Sequence, residues 1–158
     1  MQRYRIRAYA DTSVFGGAFD EEFAEATSTF LRQVREGRLD LVTSLVVRGE
    51  LEDAPPAVRS LFAELTAGAE VVRTSPEART LHDAYLEARV VSQRWSTDAL
   101  HVALATVTGC HAIVSWNFKH IVHLRRIRAY NAVNAVMGYP PIAVHSPLEV
   151  VEHEEEDA

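Results

Sequence analysis

The feature that most constrains the fold is an alternation of strand-like and helix-like segments along the 158 residues. Short apolar runs such as LDLVTS and HAIVSW are typical of buried strands. The segment AFDEEFAEATSTFLRQVREG instead places Phe19, Phe23 and Phe30 at helical spacing and ends at Gly37. Strands separated by helices predict an α/β fold with a parallel sheet covered on both faces.

The same patterns give the expected order of elements. Strands are predicted near residues 6–10, 39–44, 70–73, 111–116 and 140–145, with helices in the intervening segments. Ser96 or Thr97 is expected to cap the helix that begins with STDALHVALA, because both side chains can accept a hydrogen bond from a free backbone N–H. Asp98 then falls in the first turn of that helix.

Two elements carry polar residues in informative patterns. Arginines alternate with apolar residues at the start of the first strand, at positions 3, 5 and 7, which predicts that its first half extends beyond the sheet. Asn131 and Asn134 share a face of the last helix shortly before Gly138. The default expectation for both is hydrogen bonding at the end of that helix.

Composition indicates one globular domain, since 47% of the residues are hydrophobic and 24% are charged. No apolar run approaches membrane-spanning length, and the N-terminal MQRYRIR has no apolar signal segment, so we expect a cytoplasmic protein without a membrane contact. The single cysteine, Cys110, cannot form an internal disulfide and is predicted to be a small core residue. A cysteine-based zinc site is therefore excluded.

The net charge of -6 is concentrated at the C-terminal end of the chain. Residues 149–158 contain no Lys or Arg but include Glu149, Glu152, Glu154, Glu155, Glu156 and Asp157. We expect a single domain over residues 1–148, followed by a disordered acidic tail. Within the domain, Lys119, Arg125, Arg126 and Arg128 form a basic cluster that could meet phosphate groups.

Four polar residues mark the ends of strand-like runs or the first turns of helix-like runs. They are Asp11 in YADTSVFGG, Glu50 in SLVVRGELED, Asp98 in STDALHVALA and Asn117 in IVSWNFKH. A parallel sheet gathers such residues at the rim formed by the carboxyl ends of its strands. Three carboxylates and one amide in one cleft predict a hard metal ion such as Mg²⁺, which prefers oxygen ligands.

Each of these residues also has a purely structural interpretation. Asp11 could be a turn or cap residue, Asp98 could favour the positive end of its helix, and Asn117 could cap the following helix. Glu50 taken alone could be a solvated surface acid. His101, one turn after Asp98, is interpreted as a satisfied, partly buried histidine and is left outside the metal site.

Taken together, these motifs resemble those of the PIN-domain ribonucleases, which include the VapC-type toxins of bacterial toxin-antitoxin pairs. The resemblance covers nearly the whole chain and is carried by the order and spacing of four segments: Asp11 with Thr12, TSLVVRGEL, STDALHVALA and VSWNFKHI. It implies a three-layer α/β/α fold with a central five-stranded parallel sheet, in which the first and fourth strands are neighbours. The fourth motif departs from the usual acidic residue, because Asn117 stands there in a Trp-Asn pair.

The resemblance and the residue chemistry predict a metal-dependent endoribonuclease, the toxin of a type II toxin-antitoxin pair, that uses Mg²⁺ or Mn²⁺ to hydrolyse RNA phosphodiester bonds. We expect Asp11 and Asp98 to bind the metal directly, Glu50 to act through water or to orient the nucleophile, and Asn117 to add a neutral oxygen. The hydroxyls of Thr12 and Ser115 are expected to hold carboxylates or substrate phosphate. The implied partners are RNA, an antitoxin protein and, as in many members, a second copy of the chain.

An alternative class of function stays open at this point. A PIN-like module that has weakened catalysis and serves as an RNA-binding or protein-interaction domain would also fit, and Asn117 is the residue that favours it. A phosphatase of the haloacid dehalogenase type is excluded, because Ser13 stands where the second Asp of its Asp-x-Asp nucleophile motif would be.

Overall fold

The structure, a computed structural model, describes residues 5–150. Five strands form one sheet in the order β3-β2-β1-β4-β5, and every neighbouring pair is parallel. The strands are β1 (Ile6–Ala10), β2 (Leu39–Ser44), β3 (Glu70–Val72), β4 (Ala112–Val114) and β5 (Ala143–His145). This confirms the predicted five-stranded parallel sheet and the adjacency of its first and fourth strands.

Helices connect the strands and cover the sheet. They are α1 (Thr12–Gly17), α2 (Ala24–Arg35), α3 (Leu45–Glu50), α4 (Pro56–Thr66), α5 (Pro76–Glu87), α6 (Ser96–Val107) and α7 (Leu124–Val136), with a 3₁₀ turn at Gln93–Trp95. Helix α1 contacts α2 and α4, whereas α5 contacts α6 and α7. The chain moves along the sheet in one direction from β1 to β3 and in the other from β4 to β5. Right-handed crossovers therefore place the two helix groups on opposite faces, which gives the three-layer α/β/α architecture.

Strand β1 lies at the centre of the sheet and carries much of the core. Tyr9 pairs with Val42 of β2 on one side and with Ile113 of β4 on the other, and all three side chains are fully buried. Ile6 and its neighbour Arg7 pair with β2, while the ladder to β4 begins at Ala8. Contrary to the prediction from its alternating pattern, the first half of the strand therefore does not extend beyond the sheet, because Ile6 and Arg7 pair with β2; it extends only past the ladder to β4. Arg3 lies outside the described residues.

The sequence misplaces two helix starts. The predicted helix through Phe19 begins only at Ala24, because α1 is a separate short helix and residues 18–23 form turns, which leave the Phe19 side chain exposed. Helix α6 includes Ser96 in its first turn and is preceded by the 3₁₀ turn, so neither Ser96 nor Thr97 caps it. In both places a short helical turn too brief to show a periodic pattern lies next to the longer helix.

The asparagine pair of α7 is not an end-of-helix feature. Asn131 Oδ1 accepts the N–H of Ile142 at 2.8 Å and its Nδ2 donates to the Ile142 carbonyl at 3.1 Å. Asn134 is fully buried and accepts the Tyr85 hydroxyl. The default expectation was therefore wrong: these amides fix the segment that leads into β5 and join α5 to α7.

The C-terminal part of the described chain is folded up to Val150. Glu149, the first residue of the predicted acidic tail, accepts the N–H of Ser146 at 3.1 Å, and residues 151–158 lie outside the described residues. Cys110 is buried, as predicted. Within residues 5–150, no helix has the length and apolar character needed to cross a membrane.

Candidate active site

The candidate site lies at the carboxyl ends of β1 and β4, where the strand order reverses direction. Asp11 follows β1 directly, and its backbone N–H donates to the carbonyl of Val114 at the end of β4. Open α/β sheets bind ligands at such a switch point, because the loops leave the two neighbouring strands toward opposite faces and open a crevice.

The carboxylate of Asp11 is clamped by two serines. Ser13 Oγ donates to Asp11 Oδ1 and Ser115 Oγ donates to Asp11 Oδ2, both at 2.6 Å. Each hydroxyl in turn accepts a backbone N–H from the loop after β4: Ser13 from Trp116 at 2.8 Å and Ser115 from Asn117 at 2.9 Å. The loops after β1 and β4 are thus joined through one carboxylate.

Asp11 is only 4% exposed. Burial raises the pKa of its carboxyl above the usual value, and the nearby charge of Glu50 acts in the same direction, although His101 and the two serine hydroxyls offset part of the effect. Among residues 5–150, no Arg or Lys forms an ion pair with Asp11. Within residues 5–150, the site therefore holds a buried carboxyl group that the serine hydroxyls and His101 compensate only in part.

Glu50, the last residue of α3, is connected to Asp11 through Thr12, the next residue after Asp11 in the sequence. Thr12 Oγ1 donates to Glu50 Oε1 at 2.7 Å, and His101 Nε2 lies 2.6 Å from the same oxygen. Burial raises the pKa of Glu50, but the hydrogen bond and charge of His101 and the Thr12 hydroxyl outweigh it, so the pKa lies below the usual value. Glu50 is thus held as a carboxylate.

Asp98 lies in the first turn of α6, where the helix dipole favours a negative charge. His120 Nδ1 approaches Asp98 Oδ2 to 3.0 Å. The His120 ring also stacks on Trp95, with centroids 4.5 Å apart, and the Arg94 guanidinium lies over the Trp95 ring at 4.9 Å. The Asp98 side chain is 23% exposed and is therefore reachable from solvent.

Asn117 has a structural task in this arrangement. Its Oδ1 accepts the backbone N–H groups of Lys119 at 3.2 Å and of His120 at 3.0 Å. An amide oxygen has two lone pairs, so these two bonds occupy both of them. Asn117 therefore closes a turn over residues 117–120 and does not cap the following helix, which begins only at Leu124. These bonds leave no Oδ1 lone pair for a metal ion.

The structure brings the predicted residues together only in part. Ser115 is hydrogen-bonded to Asp11 and Thr12 to Glu50, and these two pairs are joined only because Thr12 follows Asp11 in the sequence. Both are hydroxyl-to-carboxylate contacts of the kind that the sequence predicts. Asp98 lies on α6, the same helix that carries His101. Over the described part of the chain, no set of three or more His, Cys, Asp or Glu side chains is placed to hold a single metal ion.

The residues of the basic cluster differ in exposure. Lys119, Arg125 and Arg128 are exposed. Arg126 is partly buried and its guanidinium donates to the carbonyl of Val90. Arg126 therefore ties α7 to the segment before α6, and the remaining three side chains are the ones open to a phosphate.

Sequence reasoning missed three contributors. Ser13 lies two residues after Asp11, a spacing at which side chains often form a local hydrogen bond. Its contact with Asp11 could therefore have been predicted from the sequence. His101 carried a signal in its spacing from Asp98, but its contact is with Glu50 instead. His120 had none, because only the turn formed by Asn117 brings it to Asp98.

The donor set fits a hard divalent cation. The carboxylates of Asp11, Glu50 and Asp98 and the hydroxyls around them are oxygen donors, and Mg²⁺ is commonly held by one or two carboxylates together with water and substrate phosphate. Each oxygen of Asp11 accepts one hydroxyl and so keeps a lone pair.

No protein-family model and no curated protein matches the sequence. Among solved structures, a chain in the crystal structure of VapBC2 from Rickettsia felis bound to a DNA fragment from their promoter superposes with a TM-score of 0.59. The match covers 89% of this chain and 98% of that chain, at 13% sequence identity. The chain has a PIN-like fold.

This match confirms at the level of fold what the four motifs predict. It covers nearly all of both chains, so the whole sheet and both helix layers are shared rather than one supersecondary unit. Fold alone does not assign chemistry, which depends on the side chains at the switch point.

Proposed function

We propose that this protein is a metal-dependent endoribonuclease and acts as the toxin of a type II toxin-antitoxin pair. The observation that carries the proposal is the placement of Asp11. It is a buried carboxylate at the sheet's switch point, without an Arg or Lys partner among residues 5–150, and it is linked through Thr12 to Glu50. RNA as the substrate would place the activity in the cytoplasm.

Asp11 and Asp98 would hold Mg²⁺ or Mn²⁺, with Glu50 acting through water. The metal, when bound, supplies a Lewis acid that neutralises phosphoryl charge and makes a bound water more acidic. The chain's own part is orientation: Ser13 and Ser115 fix the two oxygens of Asp11, and Thr12 and His101 fix Glu50. Lys119, Arg125 and Arg128 are proposed to contact RNA phosphates.

A protein partner is supported by the surface beside the site. Phe19 and Phe118 are 55% and 49% exposed. Phe23 and Trp116, which lie near them in the sequence, stack on each other. The flanking segment carries exposed Asp20, Glu21, Glu22 and Glu25 and no base between residues 18 and 31. An exposed aromatic face beside four acids fits a basic segment with apolar anchors, such as an antitoxin would supply, better than it fits RNA.

A purified-protein assay tests the nuclease. Total RNA is incubated with the full chain in Mg²⁺, in Mn²⁺ or in EDTA, alongside Asp98→Ala and, as a matched control, Asp83→Ala, which removes an exposed acid from α5. We expect cleavage in either metal, none in EDTA, loss with Asp98→Ala and no change with Asp83→Ala. Metal-independent cleavage, or cleavage by Asp98→Ala at the wild-type rate, would contradict the proposal.

The second candidate is a PIN-like module that binds RNA or protein without cleaving it. It is favoured by Asn117, whose amide oxygen is occupied by two backbone N–H groups. RNA binding that is retained in EDTA, together with no cleavage in either metal, would select this alternative.

The partner is tested by co-expression with the product of a small reading frame adjacent to the gene. We expect a stable complex that Phe118→Ser weakens. Leu124→Ser is the control, because Leu124 is a similarly apolar and even more exposed residue that lies outside the aromatic face. Equal weakening of the complex by both substitutions would indicate that the partner does not bind specifically at the aromatic face.

A further inference from the structure

A chain of hydrogen bonds runs from the core of the sheet to Glu50. Ser44 Oγ lies 2.8 Å from the Tyr9 hydroxyl, and the same hydroxyl lies 2.8 Å from His101 Nδ1. His101 Nε2 then lies 2.6 Å from Glu50 Oε1. Ser44 and Tyr9 are fully buried and His101 is 2% exposed, so the chain is closed to solvent until it reaches Glu50.

The donor and acceptor inventory fixes the end of these hydrogen bonds that meets Glu50. A carboxylate accepts only, so His101 Nε2 carries the proton and donates to Glu50. When the ring carries one proton, Nδ1 accepts the Tyr9 hydroxyl; when it carries two, Nδ1 donates to the Tyr9 oxygen instead. Ser44 Oγ accepts the N–H of Val47 at 3.2 Å and can donate its own proton to Tyr9. In either protonation state of His101, the buried side-chain polar atoms of Ser44, Tyr9 and His101 are all hydrogen-bonded.

The arrangement leaves the two oxygens of Glu50 unequal. Thr12 and His101 both bond Oε1. Across residues 5–150, Oε2 has no hydrogen-bond or ion-pair partner, and the Glu50 side chain is 39% exposed. One oxygen is anchored to the core and the other is left for a molecule that enters the cleft.

We propose that His101 is a positioning residue that, through Tyr9 and Ser44, orients Glu50 so that its Oε2 takes the proton of the attacking water. This rests on the proposed ribonuclease function. The water oxygen forms a bond to phosphorus as its proton passes to Oε2, the bond from phosphorus to the leaving ribose oxygen breaks, and that oxygen takes a proton from solvent. Glu50 then returns its proton to solvent.

The alternative is that the chain only stabilises the fold. The two roles separate at His101, because Gln and Asn each reproduce one of its nitrogens. The Gln amide reaches the Nε2 position and can donate to Glu50, whereas the Asn amide reaches the Nδ1 position and serves only Tyr9. Both replacements are neutral and polar, and each lacks one of the two nitrogen contacts of the imidazole ring. A purely structural role therefore predicts similar losses of activity for the two variants.

The test compares His101→Gln and His101→Asn in RNA cleavage and in the carboxyl titration of Glu50 followed by carbon-detected NMR. We expect His101→Asn to lower kcat on the order of 100-fold with KM nearly unchanged, and His101→Gln to stay within about 10-fold of the wild type. The pKa of Glu50 should rise in His101→Asn and rise less in His101→Gln. Thermal unfolding of both variants checks that they fold.

Equal loss of kcat in the two variants would overturn the positioning role, and so would an unchanged pKa of Glu50 in His101→Asn. The NMR measurement does not depend on cleavage. A wild-type protein that fails to cut RNA while His101→Asn still shifts Glu50 would therefore overturn the nuclease proposal and support the orientation of Glu50. If His101→Asn left the pKa of Glu50 unchanged while the wild type cut RNA in a metal-dependent way, the nuclease proposal would stand and the positioning role of His101 would be overturned.

Discussion

Asn117 Oδ1 accepts the backbone N–H of His120 at 3.0 Å, and the turn closed by this bond carries the His120 ring to within 3.0 Å of Asp98. The Asn117 amide therefore has a defined structural part beside the site. It shapes the loop after β4, and the loop delivers an imidazole to the carboxylate at the start of α6.

Substitutions at Asn117 test that role. Asn117→Asp and Asn117→Ser both keep a side-chain acceptor for the turn, whereas Asn117→Ala removes it and should lower the free energy of unfolding by about 1 kcal/mol, as for a lost cap. We expect cleavage to follow stability of the turn, with Ala the weakest of the three. If Asn117 were a metal ligand instead, Ser and Ala would lose metal affinity with no loss of stability, as chemical denaturation would show.

His120→Ala removes the imidazole beside Asp98. Groups that contact a metal-binding carboxylate orient it, and their loss typically weakens metal affinity by about 10-fold or more. We therefore expect weaker Mn²⁺ binding by calorimetry in His120→Ala. His123→Ala is the control, because His123 is exposed in the same loop. Unchanged Mn²⁺ affinity in His120→Ala would mean that Asp98 does not need this neighbour.

Asp11→Asn should stabilise the fold while abolishing cleavage. Burial raises the pKa of Asp11, so the folded state favours the protonated form; the associated stability is present at low pH and is lost as the pH rises through the folded pKa. At neutral pH the neutral amide avoids that loss, and we expect a gain of about 1 kcal/mol, or about 2–4 °C in Tm.

The pH dependence provides the check on this prediction. The difference in Tm between Asp11→Asn and the wild type should shrink as the pH falls through the raised pKa of Asp11, because the wild-type carboxyl then takes up its proton in the folded state. The exposed Asp83→Asn serves as the control and should leave Tm unchanged at every pH. A lower Tm for Asp11→Asn at neutral pH would indicate that the ionised group stabilises the fold.

Much of the site's position could be predicted because it depends on local pattern and on strand order. Asp11 follows an apolar run and Asp98 lies at the start of a helical one, and both lie where those patterns predict. The adjacency of β1 and β4 followed from the family resemblance, and the sheet confirms it.

The contacts that tune the site could not be predicted. Tyr9 and His101 are 92 positions apart and meet only because α6 packs over the centre of the sheet. A lone histidine among apolar residues has the same local pattern whether it is a core residue or the partner of a carboxylate. His120 depends further on the geometry of one turn, which sequence periodicity does not encode.

Two neighbouring glycines of α1 give the last prediction. A Cβ at Gly17 would lie 2.7 Å from Trp116 Nε1 and 2.8 Å from its Cδ1, whereas a Cβ at Gly16 has no atom within 4 Å. Trp116 Nε1 donates to Thr27 Oγ1 at 2.9 Å, and its backbone N–H bonds Ser13, which holds Asp11. A methyl group at Gly17 must therefore displace a ring that is tied to the site.

We expect Gly17→Ala to lower the free energy of unfolding by about 1–3 kcal/mol through overpacking, and to reduce cleavage as well. Gly16→Ala should be neutral or stabilise by up to about 1 kcal/mol, because Ala is the better helix former and meets open space. Urea denaturation of the two variants measures the difference. If both substitutions changed stability equally, the close approach of Trp116 to Gly17 would not constrain this helix, since helix propensity alone acts alike at the two positions.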